Sequence, residues 1–80
     1  MHELGVLSRA LGRIQRLAEE KNIARVKYVT LEVGESSGFV QAYFAKLYPA
    51  ARDLFPALRL SELRMDSVPG NGLKIKDIAY

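Results

Sequence analysis

Residues 25–33, RVKYVTLEV, decide the fold. The stretch is rich in β-branched side chains, and Val29, Leu31 and Val33 alternate with Thr30 and Glu32, the pattern of a strand with one face on a core. Gly34 ends it. Upstream, Leu4, Leu7, Leu11, Ile14 and Ala18 recur at spacings of three and four, which predicts an amphipathic helix over residues 4–21. Arg9, Arg13, Arg16 and Glu20 fall on its other side. Glu3 stands at its start, where a negative charge suits the helix dipole. Lys21-Asn22 reads as its stop, and Gly5 and Gly12 weaken it slightly.

Downstream of the strand, Ser36-Ser37-Gly38 offers capping hydroxyls before a second apolar helix from about Phe39 to Leu54. Pro49 lies inside that helix and either kinks it or opens its last turns; Phe55-Pro56 closes the segment. Residues 60–68, LSELRMDSV, read as a second strand and residues 73–79, LKIKDIA, as a third, separated by the turn cluster Pro69-Gly70-Asn71-Gly72. So short a connection predicts an antiparallel hairpin of these last two strands. The order is α-β-α-β-β: an α+β domain in which two helices pack on one face of a three-stranded sheet around a single core.

Composition narrows the function. The chain has 80 residues, 49% hydrophobic and 26% charged, which suits one globular domain with a modest core. Repeats, linkers and low-complexity segments are absent, and so is any run apolar enough to span a bilayer. The first 20 residues carry arginines within the apolar pattern and do not read as a signal peptide, so a cytoplasmic location is expected. The net charge is +3 without a basic run, so nucleic-acid binding is not expected. Cysteine is absent, which excludes disulfides, thiolate zinc sites and cysteine nucleophiles. The single histidine, His2, is poorly placed for a catalytic triad. These absences point away from an enzyme. Tyr28, Phe39, Tyr43, Phe44 and Tyr48 sit at spacings that core and rim packing explain.

Met1-His2-Glu3 leads directly into the first helix. LEVGESSG follows at residues 31–38, ELRMDSVPG at 62–70 and GLKIKDIAY at the end. In this order the pieces resemble the HypA/HybF family of nickel chaperones, which serve [NiFe]-hydrogenase and sometimes urease maturation. The resemblance covers nearly the whole chain and implies that residues 1–80 form one nickel-binding domain. It implies a metallochaperone-type accessory protein and a Ni(II) site at His2, Glu3 and Met1. It also implies two partners, the maturation GTPase of the pathway and the hydrogenase large subunit.

Coordination chemistry suits that N-terminus. Ni(II) accepts imidazole and square-planar nitrogen donors. The His2 Nδ1 and the His2 amide nitrogen close a six-membered chelate, and the His2 and Glu3 amides a five-membered one. The fourth corner lies opposite the His2 amide. The Met1 amine forms a five-membered ring with that same amide and cannot reach this corner, so it either replaces one of the three donors or leaves the fourth ligand to come from elsewhere. An extension before Met1 is expected to weaken binding.

The chain departs from the family twice. Many members carry an acidic residue two positions after the second glycine of the VGExSG stretch, where this chain has Val40. The nearest acid, Glu35, reads as a turn or capping residue. The family also carries a zinc module with two CxxC pairs between the VPG strand and the final strand. Here only Asn71-Gly72 separates Gly70 from Leu73, so the zinc insertion is missing at the 69–72 turn and no zinc is expected. The alternative reading is an interaction module that keeps the fold and binds no metal. Free strand edges and a shortened connection leave a homodimer, including a domain-swapped one, as an open expectation.

Overall fold

The strand predicted within residues 25–33 is the centre of the sheet. A computed structural model describes residues 3–80; Met1 and His2 lie outside the described residues. The elements are α1 (Glu3–Glu20), β1 (Tyr28–Gly34), α2 (Gln41–Arg52), a short 3-10 helix (Pro56–Leu58), β2 (Glu62–Val68) and β3 (Leu73–Ala79). The α+β order α-β-α-β-β holds, with the 3-10 turn as an unforeseen addition.

The predicted hairpin does not form. The sheet order is β2-β1-β3, so the two strands joined by the Pro69–Gly72 turn flank β1 and do not pair with each other. β1 runs parallel to β2, with Tyr28 opposite Glu62 and Gly34 opposite Val68. It runs antiparallel to β3, with Val33 opposite Leu73 and Val29 opposite Ile78. The physical reason lies in the side chains. Val29, Leu31 and Val33 of β1 are buried, and the most apolar strand gains most from two ladders. β2 and β3 carry Glu62, Arg64, Asp66, Lys74 and Lys76, charges that suit sheet edges. A parallel pair needs a crossover, and the segment containing α2 supplies it.

β3 contains one irregularity. Leu31 faces Ile75 while Thr30 faces Asp77, so Lys76 is the extra residue of a bulge. The bulge restores Ile78 to the core face after Leu73 and Ile75.

Leu7, Leu11 and Ile14 of α1, Phe44 and Tyr48 of α2, the three β1 residues, Val26 and Leu58 form one core cluster. α2 continues through Pro49 to Arg52. The expected Ser36-Ser37 helix cap is absent: the residue preceding α2 is Val40, which makes no side-chain cap bond. Ser37 instead closes the preceding turn, its Oγ donating to the Gly34 carbonyl at 2.6 Å and accepting from the Phe39 amide at 3.2 Å. Among the described residues no helix is long and apolar enough to cross a membrane.

Candidate functional site

Both helices begin at one end of the sheet. Val6 of α1 borders the same cleft as Leu73, and Leu17 the same cleft as Ile78, so α1 runs alongside β3 and starts at its Leu73 end. The Gln41 side chain donates to Ser67 Oγ at 2.7 Å, and an Arg52 guanidinium nitrogen donates to the Ser61 carbonyl at 2.6 Å, so α2 also starts at the end where β1 and β2 stop.

That end holds the glycine-rich stretch after β1 and the turn between β2 and β3, and the two are hydrogen-bonded together. The Gly34 amide donates to the Gly72 carbonyl at 2.8 Å, the Glu35 amide to Val68 at 2.8 Å and the Ser36 amide to Gly70 at 2.9 Å. VGESSG and VPG, far apart in sequence, thus form one backbone unit. Gly70 and Gly72 both adopt positive φ within it. Glu35 is exposed and contributes its backbone, in keeping with the turn role read from sequence.

Glu3 is the unusual residue at this end. The apolar pattern placed Leu4 on the buried stripe of α1. The stripe that is buried instead runs Glu3, Leu7, Leu11, Ile14, Ala18, while Leu4 is half exposed. Glu3 is only 5% exposed, and its Oε2 has no hydrogen-bond partner among the described residues. Burying a carboxylate in place of a leucine runs against the hydrophobic effect, and an unpaired buried oxygen adds to the cost. Such reversals concentrate where a site is built. The Glu3 backbone N–H lies in the first turn of α1, where amides have no intrahelical acceptor. It is therefore free to act outside the helix.

Of the sequence-predicted site residues, Glu3 is placed by the structure and Met1 and His2 fall outside the described residues. Val40 is exposed at the start of α2. Among the described residues no three His, Cys, Asp or Glu side chains gather into a metal-binding group.

A second polar cluster at the opposite end escaped the sequence reading. Ser61 is fully buried, its Oγ donating to the Leu58 carbonyl at 2.6 Å and lying 2.6 Å from the Tyr48 hydroxyl. Burial pushes the Tyr48 phenol above its usual pKa, against the opposing effects of the Ser61 hydrogen bond and the Arg52 charge. The group ties the end of α2 to the entry of β2 and is structural. On the helix-free face of the sheet, Lys76 reaches across the central strand to Asp66 at 3.1 Å, and the Arg64 guanidinium stacks 3.7 Å from the centre of the Tyr28 ring.

A family model described as hydrogenase/urease nickel incorporation, metallochaperone, HypA, matches residues 1–78. The chain belongs to the HypA family. Among solved structures, it is similar to the solution structure of the Ni metallochaperone HypA from Helicobacter pylori, with a TM-score of 0.88 at 13% identity over 99% of this chain and 97% of that one. A second solution structure of a HypA protein gives a TM-score of 0.81, also at 13% identity, over 99% and 95% of the two chains. At that identity the likeness of the two structures is one of fold. No curated protein sequence matches the chain. Within this HypA chain, MHE, VGESSG and VPG are the stretches that carry the resemblance. The last two are joined by hydrogen bonds, and Glu3 opens the helix that starts at the same end.

Proposed function

We propose that this HypA chain binds Ni(II) at Met1, His2 and Glu3 and carries it, as cargo, in the cytoplasm to the maturation GTPase and the hydrogenase large subunit, without catalysing a reaction itself. The observation that carries the reading is the family match over residues 1–78 together with the buried Glu3 carboxyl group at the head of α1, whose Oε2 has no hydrogen-bond partner among the described residues. The His2 imidazole and the His2 and Glu3 amide nitrogens would supply three square-planar donors. A first-turn amide favours this assignment, since coordination through Glu3 N breaks no helix hydrogen bond. The Met1 amine either exchanges with one of these donors or leaves the fourth position to another ligand. We take residues 1–80 as one nickel-binding domain without the zinc insertion, because Pro69–Gly72 joins β2 to β3 directly.

Calorimetric titration of nickel into the untagged protein tests the proposal. Stoichiometric binding that is lost in His2→Ala, and weakened by a residue added before Met1, is the expected result. Equal weak binding by the native protein and His2→Ala would overturn it in favour of a fold that binds partners without metal.

A further inference from the structure

The arginines of α1 look scattered in the sequence, but the fold lines them up beside an open strand. β3 is bonded to β1 on one side only. Between its other side and α1 lie two adjoining clefts of about 480 and 490 Å³, which share Arg13 and Ile75 and so form one trough along the strand. Arg9, Arg13 and Arg16 border it and are exposed. Among the described residues none of the three has an ion-pair partner, whereas Lys76 is held by Asp66.

We propose that this trough docks an extended acidic segment of a partner protein, which adds as a fourth strand beside β3. Strand addition supplies main-chain hydrogen bonds that an edge strand leaves unmade, and side chains on alternate residues supply the specificity. The spacing fits. Arg9 and Arg13 are four residues apart on a helix, about 6 Å along its axis. Same-side residues of a strand repeat at about 6.6 Å. Two carboxylates at alternate positions of the added strand therefore meet Arg9 and Arg13. At the far end of the trough Glu20 and Asp77 disfavour a further acid, while Leu17 and Ile78 favour an apolar side chain. The occupant is thus acidic, acidic, then apolar at every second residue.

Charge decides among occupants. A second copy of this chain would set the same arginine stripe against itself, and like charges oppose the pairing. A single-stranded nucleic acid gains most of its stacking from aromatic side chains, and none lines the trough.

A fluorescein-labelled peptide, Glu-Thr-Glu-Thr-Leu-Thr with blocked ends, titrated by anisotropy into metal-free protein at low salt, tests the site independently of nickel. Saturable binding is expected, with slowed hydrogen exchange on β3 amides. The Arg9→Glu/Arg13→Glu pair is expected to weaken binding by about tenfold or more, with Arg9→Ala/Arg13→Ala between it and the native protein. Thermal melts identify the variants that remain folded. A peptide N-methylated on alternate amides, made in both registers, is expected to lose binding in the register that faces β3. Absence of binding, undiminished binding of both N-methylated peptides, or undiminished binding to the folded variants would overturn the proposal. So would tighter binding of an oligothymidylate of equal charge, which would assign the trough to nucleic acid.

Discussion

Gly34 and Gly70 approach so closely that a Cβ on Gly34 would stand 2.5 Å from the Gly70 carbonyl oxygen. This contact lets the connection between β2 and β3 pass over the end of β1, and it explains why the two outer strands can be joined by four residues without pairing. Asn71 backbone atoms lie within 2.9 Å of the same position, so a side chain at 34 meets main chain that cannot rotate away. Gly34→Ala is expected to destabilise the protein by about 2–3 kcal/mol through overpacking. Gly5→Ala is the control, because a Cβ there meets nothing within 4 Å, and in a helix it is expected to stabilise by about 0.5–1 kcal/mol. Urea unfolding of the two variants should move in opposite directions.

Val40 precedes α2 with extended backbone and no side-chain cap. The acidic residue that many family members carry at this position would therefore stand at a helix N-cap, where a carboxylate accepts from first-turn amides. Val40→Asp is expected to stabilise the protein by about 1 kcal/mol, since Val40 is 43% exposed and lies outside the buried core. If capping is the whole role of the acid, nickel titrations of the native protein and Val40→Asp coincide while their melting temperatures differ. Tighter nickel binding by Val40→Asp would instead make that carboxylate a ligand.

The parts of the fold legible in the sequence are those set by local periodicity. Leu7, Leu11, Ile14 and Ala18 define α1, and Val29, Leu31 and Val33 define β1. The spacing Leu73, Ile75, Ile78 also holds the β3 bulge, since the apolar residues change parity at Lys76. The strand order was not legible, because a four-residue link containing two glycines reads as a hairpin unless the approach of Gly34 to Gly70 is known. The helix start at Glu3 is legible, but periodicity does not decide between residues 3 and 4 for the buried stripe, and hydrophobicity favours Leu4, which is exposed. Ser61 carries no motif and is defined only by Tyr48 and Leu58 folding over it. The arginine trough needed the position of β3 beside α1.

Tyr48 makes stability fall in alkali. Its folded pKa is raised, with burial as the leading cause, above the 10.0 of an unperturbed phenol. Between the two values the unfolded chain has lost the proton and the native one keeps it, so unfolding is favoured as pH rises. The contribution is intact below pH 10 and is lost progressively above it. Tyr48→Phe is expected to cost about 0.5–1.5 kcal/mol at neutral pH for the missing hydrogen bond. It should then lose less stability than the native protein between neutral and strongly alkaline pH. Chemical denaturation of both proteins across that range checks the difference in slope, which cancels the titration of the other tyrosines and lysines.

The two roles of Glu3, amide donor and buried carboxylate, separate in a pair of variants. Glu3→Gln keeps the backbone nitrogen and nearly the same shape but removes the charge. If nickel is held by the His2 imidazole and the two amides, Glu3→Gln should bind it with less than about a tenfold loss, corresponding to 1.4 kcal/mol, while His2→Ala loses stoichiometric binding. The metal-free Glu3→Gln protein should also be at least as stable as the native one, because a buried carboxylate with one oxygen unpartnered among the described residues has been replaced by a neutral amide. Loss of nickel in Glu3→Gln equal to that in His2→Ala would make the carboxylate itself a ligand and fill the corner opposite the His2 amide. Calorimetry with nickel and thermal melts without it, on the same three untagged proteins, distinguish the two arrangements.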